Sequence, residues 1–404
     1  MENRTPFALN QPLFSLPRMN TEIQNHYDYI IAGGGMSGLS LAYYLSKSEL
    51  KHKKILIIDK EAKTKNDRTW AFWEKHDGAF EEIVAQKWKD FWVYGPGTQK
   101  SMNLKEYQYK MIRGIDFYGF IIPKIKANPN VTFIFTEIEQ IIDNQVITKL
   151  GTFEAQYIFD STYALNLNLP HKHNLLQHFK GWVIKTPTPA FDPQKPTIMD
   201  FRVAQIEDDC TFFYVLPTSP TEALVEYTLF SPALLQPQDY QNALENYLKK
   251  YLQITDYEIL HEEFGVIPMT DEDTPEIINP HLIRIGTSGG YTKGSSGYTF
   301  TRTQSYLQEI VENLVTFGEP FRWKEPLKAR YKWLDSVFLN VLVKKRVEAR
   351  KVFLGLYRNN QADYVFKFLD EESTLFEDLK IMIKMPLLPF IKAAIDVSFK
   401  QKVQ

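Results

Sequence analysis

The chain of 404 residues is poor in the residue types that build disulfides and many metal sites. It has one cysteine, Cys210, and eight histidines. A single cysteine excludes an intramolecular disulfide and zinc or iron–sulfur sites built on cysteines, and it favours a reducing compartment. His171 and His173 are the closest histidine pair, but the sequence arranges no acid or cysteine around them. We therefore predict a surface loop there and no metal-dependent mechanism.

The sequence also lacks an excess of charge of either sign. Its 47 Lys and Arg residues are balanced by 49 Asp and Glu residues, which gives a net charge of −2 at pH 7. This balance provides no general attraction to nucleic acid, so we expect no nucleic-acid partner.

Long hydrophobic runs are missing as well. The longest uncharged stretch, residues 29–46, is long enough for a membrane span but contains four glycines. Charges interrupt the other apolar runs, so we predict no transmembrane helix, and any membrane contact is expected to be peripheral. Residues 1–25 are interpreted as a disordered leader, because they lack the apolar core and cleavage site of a secretory signal.

What the chain does have is a strand, a glycine-rich turn and a helix in direct succession. The apolar run Tyr29–Ala32 precedes GGGMSG, and a helical pattern of apolar residues follows. Gly33, Gly35 and Gly38 have GxGxxG spacing, which permits a tight turn, close approach to a pyrophosphate and tight packing of helix on strand. The helix N-terminus offers free N–H groups to phosphates.

A second buried strand completes this βαβ unit and ends in a carboxylate. The strand is Ile55–Asp59, and Asp59 follows Gly38 by 21 residues. An acid at this place binds ribose hydroxyls, so the unit predicts a site for an adenine dinucleotide without a 2′-phosphate. Both FAD and NAD satisfy this pattern.

The rest of the chain indicates a second, β-rich part and a helical end. Residues 181–230 contain strand-like runs separated by Pro, Ser and Asp, typical of an antiparallel sheet. The strand-like run His281–Gly286 indicates a return to the first part, and helical patterns follow from Leu327 onwards. The expected organisation is a dinucleotide-binding domain at 26–165 and 265–320, an inserted β domain at 166–264 and a C-terminal helical, membrane-proximal region at 321–404.

The run Gly286–Gly290, GTSGG, also matches the GxSxG nucleophile elbow of hydrolases. In that chain order the histidine follows the serine, but the last histidine here, His281, precedes Ser288. Lys293 precedes Gly294 and therefore does not form a P-loop. We favour a glycine-rich loop that contacts the cofactor.

Several segments downstream resemble lycopene cyclases of the bacterial flavoprotein type. They are NDRTWAFWEK (66–75), LPTSPTEALVEYTLFS (216–231), EEFGVIPMT (262–270), GYTKGSSGYTFTRT (290–303) and KMPLLPFIKAAI (384–395). The resemblance covers nearly the whole chain. It implies an α/β fold with a Rossmann-like FAD-binding domain similar to that of aromatic hydroxylases, an inserted antiparallel β substrate domain and C-terminal helices. It also implies conversion of the acyclic ends of lycopene into β-ionone rings without net redox change.

The resemblance implies roles for individual residues. The glutamate that the family requires for cyclisation corresponds to Glu226, but the acid that follows it in the family is Tyr227 here, so we do not expect two adjacent carboxylates. The family's Pro-Thr-Thr-Gly-Tyr-Ser near the flavin corresponds to residues 294–299, which lack the proline. The complete set of predicted cofactor-binding residues is Gly33, Gly35, Ser37, Gly38, Asp59, Arg68, Gly286, Gly297 and Tyr298.

The pattern around Glu226 is compatible with a chemical role. Strand alternation divides ALVEYTLF into two faces, one with Leu224, Glu226 and Thr228 and the other with Val225, Tyr227 and Leu229. If Glu226 faces an apolar cavity, desolvation raises its pKa and allows it to act as a general acid. A solvent-facing strand residue is the ordinary alternative, and the resemblance favours the cavity.

Cyclisation by this chemistry begins with protonation of an alkene and ends with loss of a ring proton. We expect reduced FAD to stabilise the positive charge or to handle a proton, with NAD(P)H as the reductant. The expected substrates are lycopene and related carotenes. An FAD-dependent monooxygenase or prenyl-chain reductase is the main alternative and would consume NAD(P)H in proportion to product. A non-catalytic carotenoid-binding flavoprotein is a third possibility.

Access to a membrane-dissolved substrate requires contact with lipid. The apolar run Val337–Val343, with the basic residues of 344–351 after it, is one candidate, although such a helix commonly packs on a core. Leu387–Ile391 is a second candidate. We expect the protein to be cytoplasmic and peripheral on the cytoplasmic face of the membrane.

Overall fold

The computed structural model describes residues 24–167, 169, 172–206, 209–321 and 329–400. The predicted leader over residues 1–25 lies almost entirely outside the described residues.

The strands of the described residues are, in chain order, β1 (His26–Ala32), β2 (Ile55–Asp59), β3 (Thr69–Glu74), β4 (Gln86–Trp88), β5 (Asp90–Gly95), β6 (Thr98–Asn103), β7 (Gln108–Arg113), β8 (Val131–Phe135), β9 (Ile138–Ile142), β10 (Gln145–Thr148), β11 (Gly151–Asp160), β12 (Asn174–Lys185), β13 (Thr197–Asp200), β14 (Cys210–Pro217), β15 (Glu222–Ser231), β16 (Glu258–Thr270) and β17 (Leu282–Arg284). The helices are α1 (Met36–Lys47), α2 (Gly114–Lys126), α3 (Pro237–Tyr247), α4 (Phe300–Phe317), α5 (Ala329–Val343), α6 (Ala349–Asn359), α7 (Ala362–Leu369), α8 (Leu375–Met382) and α9 (Leu387–Lys400).

The first sheet contains the predicted βαβ unit. Its order is β8-β2-β1-β11-β10-β9, and β17 pairs with the end of β11. Strands β8, β2, β1 and β11 run parallel, whereas β9, β10 and β11 form an antiparallel meander. Apolar residues of α1, α2 and α4 pack on one face of this sheet. The glycine turn therefore lies where β1 leaves the sheet and α1 begins, as the sequence predicts.

The second sheet is mostly antiparallel, with the order β16-β12-β15-β14-β13-β5-β6. Strands β12 to β15 come from the region with the antiparallel pattern, which confirms that interpretation. Strands β5 and β6 come from earlier in the chain, and β16 crosses residue 264. The expected domain boundaries stay a prediction.

Alternation along β15 sends neighbouring side chains of the second sheet into different cores. Leu224 lies in a core that includes buried residues of α5, α6 and α7. Val225 and Tyr227 lie in another core, against α3. The predicted division of ALVEYTLF into two faces is confirmed, because successive strand residues point to opposite faces of a sheet.

Local signals define the ends of several helices. Helix α4 ends at Gly318, whose φ of 74° suits the left-handed conformation of a C-terminal glycine. Helix α8 begins with a capping box in which Thr374 and Glu377 satisfy each other's backbone N–H groups. Helices α5 and α9 share a small core with Val341 and Val397. The predicted C-terminal helical region is thus observed in the described residues.

Candidate active site

The glycine turn between β1 and α1 has the geometry that each glycine of the motif requires. Gly33 has a φ of +96°, and a Cβ at Gly38 would lie 2.0 Å from the Gly33 carbonyl oxygen. A side chain at Gly38 would separate the helix from the strand. A Cβ at Gly35, by contrast, would have no atom within 4 Å. The backbone at Gly35 therefore borders open space into which a phosphate group fits.

The N-terminus of α1 is free to receive an anion. Its N-cap is Gly35, which supplies no side-chain cap, and its first turn contains no acidic residue. Gly286, with a φ of +66°, lies against this turn, since a Cβ there would be 2.3 Å from Ser37 Oγ. The structure thus brings two of the predicted cofactor residues, Ser37 and Gly286, together at the positive end of a helix.

The carboxylate of Asp59 lies beside the same turn. Its Oδ2 accepts the Gly34 N–H at 2.6 Å, and its Oδ1 accepts the Glu61 N–H at 3.0 Å. Lys63, which the sequence pattern did not indicate, contacts Oδ1 at 3.2 Å. An acid at the end of β2 next to the glycine turn matches the ribose-binding position. The open space at Gly35, the uncapped helix and this acid together fit an adenine dinucleotide such as FAD.

Arg68 directly precedes β3. Its guanidinium contacts Asp67 at 3.1 Å, and Asp67 also accepts the Tyr118 hydroxyl at 2.9 Å. Burial is the main cause that raises the pKa of Tyr118, and the charge of Asp59 adds to it. Burial also raises the pKa of Glu263, and the charge of Arg68 opposes that rise. Arg68 is thus within electrostatic reach of a buried acid that the sequence did not single out.

Glu226 lines a cavity of about 100 Å³ that it shares with Gly297 and Tyr298. The walls are largely aromatic and aliphatic, and they include Trp70, Tyr109, Phe179, Tyr214, Leu224 and Phe300. The predicted acid and the predicted flavin-contacting pair therefore border the same space. In the sequence these residues are far apart, and only the family resemblance indicated that they belong to one site.

The carboxyl group of Glu226 is held in an environment that favours its protonated form. Burial is the main cause that raises the pKa of Glu226 well above its ordinary value, and the nearby charge of Glu263 raises it further. The Thr228 hydroxyl donates to Oε1 at 2.8 Å and opposes this rise, because a donated hydrogen bond lowers the pKa. A carboxylic acid that remains protonated near neutral pH can act as a proton donor.

Glu263 is the residue of this site that the sequence reasoning missed. It lies on β16, its exposed fraction is 4%, and its Oε2 accepts the Thr69 hydroxyl at 2.9 Å. Burial raises the pKa of Glu263 to about 7, although Thr69 and Arg68 oppose the shift. The segment EEFGVIPMT was part of the resemblance, but nothing in the sequence indicated that β16 lies next to β12.

A second, strongly apolar cavity adjoins the first. Tyr214, Ser296 and Tyr298 line both cavities. The second one holds about 60 Å³ and continues between α5, α6 and the C-terminal helices, where Phe338, Phe353, Met382, Met385 and Phe390 line it. The second cavity therefore extends from residues that border the cavity of Glu226 to α8 and α9.

A buried group of charges fixes the loop that carries Gly297 and Tyr298. The Lys293 ammonium, 4% exposed, contacts Asp335 of α5 at 2.9 Å and Glu371 at 2.8 Å. Arg302 of α4 contacts Glu371 at 2.9 Å. These contacts join the loop to α4, to α5 and to the segment before α8.

Two smaller expectations can be checked. Ser288 of the GTSGG run is 2% exposed and donates to the Tyr163 carbonyl at 2.9 Å, so it is not placed as a nucleophile. The expectation of a surface loop at His171 and His173 is wrong for His173, which is buried between Asp271 at 2.7 Å and Asn340 at 2.8 Å. Its partners come from remote parts of the chain. His171 lies outside the described residues.

The two segments considered for membrane contact differ in exposure. Val337, Leu339 and Val341 of α5 are buried, and the basic residues after them form ion pairs, such as Arg346 with Asp396 at 2.8 Å. The second segment begins α9, where Leu387, Leu388 and Ile391 are exposed. In the part of the chain that the structure describes, no helix combines the length and apolarity needed to cross a membrane.

Comparison with solved structures defines the class of protein. A geranylgeranyl bacteriochlorophyll reductase-like protein from Thermoplasma acidophilum aligns with a TM-score of 0.59 and 13% identity, covering 92% of this chain and 99% of its own. A flavin-dependent brominase aligns with a TM-score of 0.58 and 14% identity, covering 94% of this chain and 100% of its own. A 2-methyl-3-hydroxypyridine-5-carboxylic acid oxygenase aligns with a TM-score of 0.54 and 10% identity, covering 92% of this chain and 96% of its own. The fold is that of the FAD-dependent aromatic hydroxylases and halogenases.

Comparison of sequences defines the family within that class. The family described as "Lycopene cyclase protein" matches residues 28–395, and the chain belongs to this family. A relative, the chloroplastic lycopene beta cyclase of Arabidopsis thaliana, is 22% identical over 90% of this chain and 78% of that protein. The resemblance and the fold class inferred from the sequence are confirmed.

Proposed function

We propose that this protein is a lycopene β-cyclase that converts the acyclic ends of lycopene into β-ionone rings, giving γ- and β-carotene without net redox change. The observation that carries the proposal is the buried carboxyl group of Glu226, which faces an apolar, aromatic cavity beside Gly297 and Tyr298. A protonated acid that faces aromatic and aliphatic side chains suits the protonation of an alkene, because an apolar cavity excludes water from the cation that forms.

The adjoining cavity gives the substrate its chemical class. Most of its lining is aromatic and aliphatic, apart from two serines and the paired charges of Lys293 and Asp335, and it includes the methionines 382 and 385. A volume of about 60 Å³ is too small for a long polyene, so side chains move aside when one binds. Methionine is well suited to this because its unbranched side chain adapts its shape at low cost. A long hydrocarbon such as lycopene fits this cavity better than a polar molecule.

The chain's own residues account for the proton steps. Glu226 donates its proton to the terminal alkene, and the resulting carbocation closes the ring by forming a carbon–carbon bond. Loss of a ring proton then restores an alkene. The rings of Trp70, Tyr109 and Phe300 exclude water that would otherwise capture the cation, and their π-faces stabilise positive charge.

FAD is the proposed cofactor, in its reduced form, and NAD(P)H the proposed reductant. The glycine turn, the open N-terminus of α1 and Asp59 are the residues that would hold the dinucleotide. When bound, reduced flavin supplies negative charge that stabilises a neighbouring cation.

We propose further that the protein binds peripherally to the cytoplasmic face of a membrane through α8 and α9. Large apolar side chains are exposed on both helices and at Ile383 between them: Leu375, Phe376, Leu379, Ile383, Leu387, Leu388, Ile391, Ile395 and Phe399. Lys380, Lys384 and Lys392 belong to the same segment. Apolar side chains next to lysines are typical of a surface that enters an anionic leaflet. The apolar cavity reaches this surface at Met382 and Phe390.

Pigment conversion tests the proposed function. The chain is expressed in bacterial cells that accumulate lycopene, and the extracted pigments are separated and identified by absorption and mass. We expect γ- or β-carotene at unchanged mass. A product of changed mass would instead identify a monooxygenase or reductase. Unchanged lycopene bound to folded, flavin-loaded protein would identify a pigment-binding flavoprotein.

A further inference from the structure

Two carboxyl groups approach each other across the central strand of the second sheet. Gly181 of β12 pairs with Glu226 of β15 on one side and with Glu263 of β16 on the other. Residues that pair with the same central residue point to the same face of a sheet. A Cβ at Gly181 would lie 2.9 Å from Leu224 Cδ1 and 3.1 Å from Glu263 Cγ. The absence of a side chain at residue 181 therefore leaves the space in which the two glutamates meet.

The hydrogen bonds around the two carboxyl groups leave room for one shared proton. Thr228 donates to Glu226 Oε1 at 2.8 Å, and Thr69 donates to Glu263 Oε2 at 2.9 Å. Glu263 Oε1 is buried and accepts no other hydrogen bond in the described residues. Its neighbour across Gly181 is Glu226, whose pKa is raised first by burial and then by the carboxyl group of Glu263. Two ionised carboxylates in contact repel each other, whereas a carboxylic acid and a carboxylate form a strong hydrogen bond.

The groups around Glu226 and Glu263 favour different protonation states of the two carboxyl groups. Arg68 and Asp67 are the charged neighbours of Glu263. Glu226 is surrounded by phenolic rings: Tyr109 of β7, Tyr214 of β14 and Tyr298 of the flavin-contacting loop. A cation beside Glu263 favours its ionised form, and apolar surroundings favour the protonated form of Glu226. The proton is therefore held mainly on the residue that faces the cavity.

We propose that Glu263 is the partner acid of Glu226 and that the two carboxyl groups hold one proton between them, which they donate and recover in each cyclisation. Glu263 acts through Glu226 and is a positioning residue. The inference rests on the proposed cyclase function. It also explains why the chain tolerates Tyr227, whose side chain packs against α3 on the opposite face of β15. The second carboxyl group of the site comes from β16 instead of from the next residue.

The proton balance of this arrangement is closed. The proton moves from Glu226 to an alkene carbon, where a C–H bond forms as the π bond breaks. The π bond of a second alkene breaks and supplies the electron pair of the C–C bond that closes the ring, which moves the positive charge onto a ring carbon. A ring C–H bond then breaks, its electron pair becomes the new ring alkene, and the proton returns to the pair at Glu226. The pair ends in its starting state, and the cycle consumes no oxidant or reductant.

Infrared titration of the purified, FAD-loaded protein without carotene tests the shared proton directly. Wild type, Glu226→Gln and Glu263→Gln are compared with Glu262→Gln. Glu262 is a matched control because it precedes Glu263 on the same strand, is 52% exposed and pairs with Lys180. Burial raises the pKa of Asp370 to about 7, so the comparison is made above this pH, where Asp370 is ionised. There we expect one protonated buried carboxyl group in wild type and in Glu262→Gln, and its loss in Glu226→Gln. In Glu263→Gln the midpoint of Glu226 is expected to fall by about one pH unit or more, because the repulsion is gone.

An unchanged Glu226 midpoint in Glu263→Gln would overturn the proposal. If that variant does not fold, Thr69→Val replaces it. Removal of the Thr69 hydroxyl is expected to raise the midpoint of Glu263, because this hydroxyl stabilises the ionised form, and an unchanged midpoint would again overturn the proposal.

Turnover measurements separate this inference from the proposed function. In lycopene conversion, the alkaline limb of the pH profile of Glu263→Gln is expected to move to lower pH, while that of Glu262→Gln stays in place. If wild type converts lycopene but the pH profile of Glu263→Gln does not move, only the role of Glu263 as partner of Glu226 is overturned. No conversion by wild type, together with the expected titration, would overturn the cyclase function and the recovery step but leave the shared proton intact.

Discussion

Polar groups are open at the glycine turn of the first sheet, whereas they are buried at the pair of Glu226 and Glu263 in the second sheet. At the turn, backbone N–H groups and the start of α1 are left open, with no atom within 4 Å of a Cβ at Gly35. At the pair, two carboxyl groups are buried among aromatic rings and threonines. The turn suits a ligand that brings its own charge, whereas the pair suits a reaction that creates charge in an apolar space. One chain thus contains a polar binding site and an acidic site in apolar surroundings.

The comparison can be tested most strongly at Glu226. We expect Glu226→Gln to reduce cyclisation by ~10²- to 10⁴-fold, because the amide cannot donate the proton, while FAD binding persists. Product per cell and flavin absorbance of the purified protein measure the two effects. Glu222→Gln, on the same strand and partly exposed, is the control. Equal turnover in both variants would remove Glu226 from the mechanism.

Two glycine substitutions distinguish packing from ligand contact at the turn. Gly38→Val is expected to destabilise the fold by more than ~4 kcal/mol, because even the Cβ would lie 2.0 Å from the Gly33 oxygen. Gly35→Ala meets open space and is expected to leave the stability of the flavin-free protein unchanged while weakening FAD binding. Thermal unfolding and flavin titration measure these changes. Loss of stability in Gly35→Ala would contradict the assignment of the open space to a ligand.

The position after Glu226 tests whether an adjacent acid could serve the site. Tyr227→Asp places a carboxylate in the apolar core against α3, so we expect a loss of ~3 to 4 kcal/mol in the free energy of unfolding and no gain in turnover. Tyr227→Phe is the control for loss of the hydroxyl. Denaturant unfolding measures the difference, and a more active Tyr227→Asp variant would show that the two faces of β15 are not separate.

The pH dependence of stability probes the pair in the folded protein. The pKa of Glu263 rises to about 7 in the folded state from an ordinary value of 4.5. Between these values the folded state binds more protons than the unfolded state, so the free energy of unfolding falls as the pH rises through this range. The loss amounts to about 3 kcal/mol at most. Urea unfolding at a series of pH values measures it, and Glu263→Gln is expected to give a flatter profile.

The smallest expected effect concerns the membrane surface. Phe376→Glu and Leu388→Glu each remove an exposed apolar side chain and are expected to weaken binding to anionic liposomes about tenfold. Lys345→Glu, at the basic end of α5, is the control and is expected to have a smaller effect, since Lys345 pairs with Asp209 at 3.3 Å. A larger effect of the control would place the contact at α5 instead.

The same comparison explains what could be predicted from the sequence. The turn depends on residues that are close in the chain, so strand, glycines, helix and Asp59 were all recognisable. The position of Glu226 on its strand was predictable from alternation, and its importance from family resemblance. The role of Glu263 was not predictable, because its place beside Glu226 depends on the register of β12 with both β15 and β16. His173 was misjudged for the same reason, as its partner Asp271 lies on a distant segment.

The buried charges around Lys293 link two events that are usually considered separately. Lys293 is on the loop with Tyr298, and its partners Asp335 and Glu371 belong to α5 and to the segment that leads into α8. A shift of those partners would leave a buried ammonium uncompensated, which is costly, so the loop follows them. Under the proposed function, a carotene that enters between the C-terminal helices would move Asp335 and Glu371, and Lys293 would carry the movement to the loop with Tyr298. Substrate entry and the position of Tyr298 would then be coupled.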